Sequence, residues 1–261
     1  MSKKAVMGMM IFVLVTPPGV LLAQNFGATI PPPSYHGLFP LSTEMKLKAM
    51  RTGLNWKGDQ YTSNKSTIAA EFGIAADLSR LLKLKYSVLV NPTSQSELFA
   101  PQTALNIGSS NFGRDPTSSQ GQQGQAQEKQ VTLDWSFPAM HRLSLSGPLL
   151  QNTIRPVAVC EWSGLTMTAT GEIDGKPRTE TETLQKTFVG LGANADYTTG
   201  RVGSHLMVVG SDRYLFAEAG AVYRFNAQTL LSGGWQWKTL EFPNDTTVRV
   251  NGVTLGLRID F

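Results

Sequence analysis

Hydrophobic and polar residues alternate along most of this chain, most cleanly at its end. Val253, Leu255, Leu257, Ile259 and Phe261 are interleaved with Gly252, Thr254, Gly256, Arg258 and Asp260. A period of two over that length predicts a strand with one apolar and one polar face. The same pattern predicts a strand at 67–78, where Ile68, Ala70, Phe72, Ile74, Ala76 and Leu78 share a face. Further strands are predicted at 82–90, 131–137, 214–225 and 229–240, and a shorter one at 201–209. Residues 45–56 form a first strand with poor alternation, and 57–65 read as a polar loop. Residues 155–170 and 181–197 predict two long strands joined at Ile173-Asp-Gly-Lys-Pro177, where Asp-Gly is a strong hairpin signal. The stretch 141–154 is ambiguous.

A strand of nine to eleven residues, tilted, crosses a hydrocarbon layer of about 30 Å. The closing run, with its terminal Phe261 and the alternating apolar residues before it, resembles the closing strand of Gram-negative outer-membrane β-barrels, small porin-like or OmpA-like barrels among them. The resemblance implies an all-β, membrane-spanning, antiparallel up-and-down barrel in the bacterial outer membrane. It also implies contact with outer-membrane lipid and with the outer-membrane assembly machinery. The N-terminus points to export as well. Lys3 and Lys4 precede the apolar run Ala5–Val15, Thr16-Pro-Pro-Gly breaks it, and Ala23 offers a cleavage position. Residues 1–23 therefore read as a signal peptide. Residues 24–44 are Pro-rich and do not alternate, so they form a periplasmic lead-in or a plug, and 45–261 form the barrel.

Single-chain bacterial barrels have an even strand count, with short turns at one end and long loops at the other. Counting 131–137 and leaving out 141–154 gives ten strands, with twelve as the alternative. Residues 57–65, 91–129, 172–180, 210–213 and 241–247 then fall at one end, and the turns at Ser79-Arg80 and Asn226-Ala-Gln228 at the other. The long outer loop 91–129 contains Thr117-Ser-Ser-Gln-Gly-Gln-Gln-Gly-Gln-Ala-Gln127, a composition too polar to fold alone. In this count Trp135, Phe137, Tyr197, Tyr223 and Phe225 sit at short-turn ends, and Trp56, Trp235 and Trp237 towards long-loop ends, as two aromatic girdles.

Composition agrees with a barrel. Hydrophobic residues make up 41% and charged residues 16%, and no long apolar run follows residue 23, as expected where alternation hides the lipid face. Of the formal net charge of +4, two units come from Lys3 and Lys4, so the exported chain is closer to neutral. Basic clusters with interleaved aromatics are missing, which argues against a nucleic-acid partner. Cys160 is the only cysteine, so an intramolecular disulfide and a Cys-rich metal site are both excluded.

Candidate chemistry lies on the polar face. Glu71, Asp77, Lys83, Lys85, Asp134, Glu218, Arg224, Lys238, Arg258 and Asp260 are expected to line or gate the lumen. Leu255, Leu257, Ala219 and Trp135 are expected to face lipid. Charges inside a narrow barrel must be paired or wetted, so they form either a structural ion network or a constriction for a small solute. Small residues on the same face, such as Gly220, Gly234 and Gly252, leave room for water or for close strand packing. The histidines are His36, His141 and His205. Ser204 and His205 are adjacent and so point to opposite faces of a strand, which rules them out as a nucleophile and its base. None of the motifs of the enzymatic outer-membrane barrels is present, and no metal or cofactor is implied. The expected function is a narrow channel or porin for small solutes. The alternative is a closed-lumen structural or surface-interaction barrel acting through its outer loops, and a lipid-modifying rim enzyme is a third reading.

Overall fold

The computed structural model describes residues 41–79, 81–91, 94–99, 105–112, 130–148, 153–173 and 176–261. The leader, the lead-in as far as Pro40, Arg80, the Gln-rich stretch and the Asp174-Gly175 turn lie outside the described residues. The described chain forms fourteen strands: β1 (Leu41–Trp56), β2 (Tyr61–Asp77), β3 (Lys83–Val90), β4 (Gln95–Phe99), β5 (Leu105–Ile107), β6 (Ser110–Phe112), β7 (Val131–Ser136), β8 (Met140–Ser146), β9 (Ile154–Ile173), β10 (Lys176–Thr199), β11 (Val202–Gly210), β12 (Tyr214–Arg224), β13 (Thr229–Glu241) and β14 (Thr247–Asp260). Ten of them close an antiparallel barrel in the order β1, β2, β3, β8, β9, β10, β11, β12, β13, β14, with β14 pairing back onto β1.

The count of ten agrees with the sequence reading, but one member differs. The ambiguous stretch supplies β8, which pairs with β3 and β9 in the barrel wall. The clean alternation at 131–137 supplies β7, which stands outside the closed ring and pairs with β4 and the upper part of β9. The reason lies in strand length. β3 stops at Val90 and β8 starts at Met140, while β9 continues to Ile173, so the exposed upper edge of β9 recruits β7. Similarly, β2 starts at Tyr61, so the loop expected at 57–65 is only a four-residue turn at 57–60.

Two zones of opposite polarity are stacked along the strands. In the lower zone Leu41, Met45, Leu47 and Ala49 of β1 face outward, beside Ile68, Phe72 and Ile74 of β2 and Val253, Leu255 and Leu257 of β14. The registers Ala49↔Ile68 and Ala49↔Val253 place the upper limit of this belt at one level. Above it the outward residues turn polar (Arg51, Asn55, Thr62, Asn64, Arg249, Asn251), and the inward ones turn apolar (Met50, Leu54, Trp56, Val248, Val250). The lower zone is thus built for lipid outside and water inside, and the upper zone has water outside and an apolar core inside. The reversal explains the poor alternation expected of β1. It also corrects three aromatic assignments. Trp56, Trp135 and Phe137 are buried in the upper core, at the long-loop end, and Trp135 meets Phe137 edge to face at 5.5 Å. Trp235, Tyr197, Tyr223 and Phe225 are exposed on the outer surface, as a girdle requires.

The hairpin β5–β6 fills the top of the upper zone, burying Leu105, Ile107 and Phe112. It is pinned on two sides. Gly108 N donates to Glu182 Oε2 at 3.0 Å and Ser110 Oγ to Glu180 Oε1 at 2.9 Å, both on β10. Opposite, Lys57 Nζ donates to the Asn106 carbonyl at 3.1 Å and to Glu182 at 2.6 Å, and Gln60 Oε1 accepts from Asn106 N at 3.2 Å. On the outer surface of the β9–β10 ladder, Thr166, Thr168 and Thr170 bond across to Thr183, Thr181 and Thr179 at 3.0–3.2 Å.

Between β4 and β2 the upper wall is joined by side chains. Tyr61 Oη and Ser63 Oγ donate to Glu97 Oε2 at 3.0 and 3.1 Å, Lys65 Nζ stands 3.4 Å from it, and Tyr61 packs edge to face on Phe99. Partial burial raises the Glu97 pKa, but the Tyr61 and Ser63 hydroxyls and Lys65 outweigh it and hold the carboxyl below its ordinary value. A carboxyl depressed on folding stabilises the fold above its unfolded pKa, and that contribution is lost as the pH falls through the folded value. Because Glu97 is about one-third exposed, the contribution is expected to stay below about 1 kcal/mol. Thermal unfolding of Glu97→Gln against the parent, at neutral pH and near pH ~4, checks this. The gap between the two proteins should narrow in acid.

Candidate functional site in the lumen

Three layers of chemistry fill the barrel from the short-turn end upward. The lowest is a cup of about 320 Å³ lined by Glu44, Asp77, Lys83, Lys85, Arg155, Asp196 and Arg258, among others. Each strand contributes by parity, since alternate residues face inward. At the rim, Lys83 lies 3.7 Å from Asp77, and Arg258 Nε donates to Asp260 at 2.7 Å. Lys85 pairs with Glu44 across β1–β2–β3.

The second layer roofs the cup. Lys46 Nζ donates to Glu218 Oε1 at 2.5 Å and lies 3.5 Å from Glu44. Lys48, which is almost wholly buried, bonds Glu71 and the Gln236 side-chain carbonyl. His205 reaches Glu218 through Nε2 at 3.3 Å. One step higher on β12 and β13 stands the third layer, centred on Glu161. This carboxylate accepts from Lys238 Nζ at 2.7 Å, from Arg142 Nε at 2.9 Å and from Tyr214 Oη at 3.2 Å. The Arg142 guanidinium lies over the Phe216 ring at 4.0 Å. Every cation in these two layers has a carboxylate, which is what a buried ion needs to persist. Above Glu161 the interior is largely apolar, with the Lys57–Glu182 pair at the hairpin.

The residues expected in the lumen lie at different depths. Glu71 and Glu218 are in the roof, and Asp77, Lys83, Lys85 and Arg258 line the cup. Lys238 is inward but lies in the third layer and does not itself line the cup, whereas Arg142 of that layer does. Arg224 is inward by parity at the lower end of β12 and does not line the cavity. Asp134 is a correction. It sits on β7, outside the closed ring, on the face opposite the buried Val131, Leu133 and Trp135 and opposite Thr168 of β9. Trp135 is likewise in the core and not against lipid, for the same reason. The sequence reading overlooked Glu44, Lys46, Lys48, Arg142 and Glu161. Glu44, Lys46 and Lys48 do alternate with Met45, Leu47 and Ala49, a signal obscured by the reversal further along β1. Glu161 follows inward Val157 and Val159, so nothing in its own strand marks it as a lumen carboxylate.

Small inward residues serve close strand packing at two points. Gly220 and Gly234 face each other across β12–β13, and the Ala49 carbonyl occupies the place where a Cβ on Gly252 would stand. The histidines do not assemble. His205 is in the roof, His141 is on the outer surface stacked on Tyr86 and bonded to its hydroxyl, and His36 lies outside the described residues. Among the described residues no cluster of potential metal ligands occurs.

No protein-family model and no curated protein matches the chain. Solved structures do. The outer membrane protease OmpT from Escherichia coli aligns with a TM-score of 0.50 at 9% identity, over 85% of this chain and 97% of that one. The translocator domain of the autotransporter NalP from Neisseria meningitidis aligns at 0.38 and 9% identity, over 87% and 90%. Ail, the attachment invasion locus protein of Yersinia pestis, aligns at 0.39 and 6% identity, over 84% and 98%. At such identity the OmpT likeness speaks to architecture alone. With the closed ten-strand ring, it establishes that this chain has the fold of the Gram-negative outer-membrane β-barrels.

Proposed function

We propose that the protein is an outer-membrane barrel with a closed lumen, acting as a structural or surface-interaction protein through the end that rises above the membrane. One observation carries this reading. The cup ends against the Lys46–Glu218 and Lys48–Glu71 pairs and against Arg142 of the Glu161 cluster, and the largely apolar core and the β5–β6 hairpin lie above that. An ion crossing this path would have to displace paired buried charges and then enter an apolar core, each step costly. The apolar belt supports membrane insertion. The longer loops support placing the upper zone outside the cell, reached by export on the N-terminal signal peptide and by the assembly machinery that handles barrels.

The channel reading keeps one supporting observation, the charged cup, which has the volume of a small-solute site and opens at the short-turn end. For that cup to become a conduit, the hairpin β5–β6 and the Glu161 cluster would have to move. OmpT is named a protease, yet here His141 and His205 stand on separate strands and on opposite faces of the wall, which supports a non-catalytic role. Planar-bilayer recording of the refolded protein tests the proposal. Membrane-inserted protein should be electrically silent. Discrete conductance steps from the intact chain would support the channel instead.

A further inference from the structure

We propose that Arg51 and Arg249 form a site for the phosphorylated headgroup of a lipid in the leaflet around the long-loop end. The proposal rests on the membrane reading above and adds a ligand to it. Both residues face outward and are exposed, immediately above the apolar belt. The registers Arg51↔Asn251 and Gly53↔Arg249 set them diagonally across the β1–β14 pair, a separation of about 7–8 Å or less. The Arg51 Nε donates to Asn64 Oδ1 of β2 at 2.8 Å. That bond fixes the guanidinium plane and leaves its terminal nitrogens for another acceptor. Among the described residues neither arginine forms an ion pair.

Two like charges side by side repel unless an anion is shared between them. On the outward faces of β13, β14, β1 and β2 the sole carboxylate is Glu241. It stands opposite Thr247, one step farther from the belt than Arg249, which is opposite Thr239. The charge nearest the bilayer is therefore positive. Directly below lie Ala49, Val253, Ile68 and Trp235, joined by the registers Ala49↔Ile68, Ala49↔Val253 and Trp235↔Val253. A lipid acyl chain fits that apolar wall while its phosphate meets the guanidinium forks, which bind phosphate in a planar, two-point manner. A free anion would use the arginines but gain nothing from the wall beneath.

Native mass spectrometry of the refolded full chain, released from mixed phosphatidic acid and phosphatidylcholine bilayers, tests the site. Heat-modifiable gel migration of the same samples reports insertion independently. The parent should retain phosphatidic acid over phosphatidylcholine, and R51Q/R249Q should reduce that preference by roughly tenfold to thirtyfold. R213Q, which alters an exposed arginine in the turn before β12, should leave it unchanged. Three results would overturn the proposal: an inserted parent with no preference, a double variant that keeps it, or complete displacement by inorganic phosphate, which would mean a free-anion site. Failure of the parent to insert would instead remove the membrane reading on which the site depends.

Discussion

Glu161→Gln should lower the folding stability of the barrel by about 3–5 kcal/mol, the cost of removing one partner from a buried ion cluster. The carboxylate is fully buried and is the common acceptor for Lys238, Arg142 and Tyr214. An amide keeps the shape and accepts one bond, but leaves two cations facing each other beneath an apolar core. Tyr214→Phe removes one hydrogen bond and no charge, so it should cost only about 0.5–1.5 kcal/mol. Denaturant unfolding in detergent, followed by near-ultraviolet tryptophan signals, separates the two. If Glu161→Gln unfolds no earlier than Tyr214→Phe, then water reaches the third layer and the lumen is not sealed there. The same result would revive the channel, so the stability measurement bears on function as well.

Leu257→Arg should cost about 2–4 kcal/mol if the residue meets lipid near the midplane. Leu257 lies in the middle of the outward run from Val253 to Phe261, with neighbours Leu231 on β13 and Met45 on β1. Gln236→Glu is an informative contrast, because that inward side chain already contacts Lys48 and a carboxylate there would find a cation. Folding yield into lipid vesicles, read by heat-modifiable migration, should drop for Leu257→Arg. Equal yield from Leu257→Arg and the parent would mean that the lower apolar surface does not meet a hydrocarbon layer.

The face assignments at the closing strand and at β2 could be read directly from period two, because one unbroken alternation meets one unchanging pair of environments. The same rule failed for Trp56, Trp135 and Phe137. Alternation separates two faces but does not say which solvent each meets, and above Ala49 the environments exchange sides. Asp134 was misplaced with them. β8 leaves little signal in the sequence because Met140-His-Arg-Leu-Ser-Leu-Ser146 presents only Leu143 and Leu145, with His141, to the outside, too short a run to mark a strand. Ion partners were beyond reach for a different reason. Lys46 and Glu218 are 172 positions apart, and only barrel closure brings β1 and β12 to the same depth.

The β9–β10 hairpin has a consequence for how the chain finds its register. Its ladder runs from Ile154↔Ala195 to Ile173↔Lys176, across both zones, and its strands are close in sequence, so its loop-closure entropy is small and it can pair early. A slip of one residue would turn every side chain of the misplaced strand over. On β9 that would put Glu161 on the outer surface and Trp162 into the ion cluster. The cost grows with every ladder pair spanning the polarity reversal, since no single offset satisfies both halves. The long hairpin thus acts as a ruler. Its length makes mispairing more expensive than any single contact could, and strands added later inherit a depth that is already set.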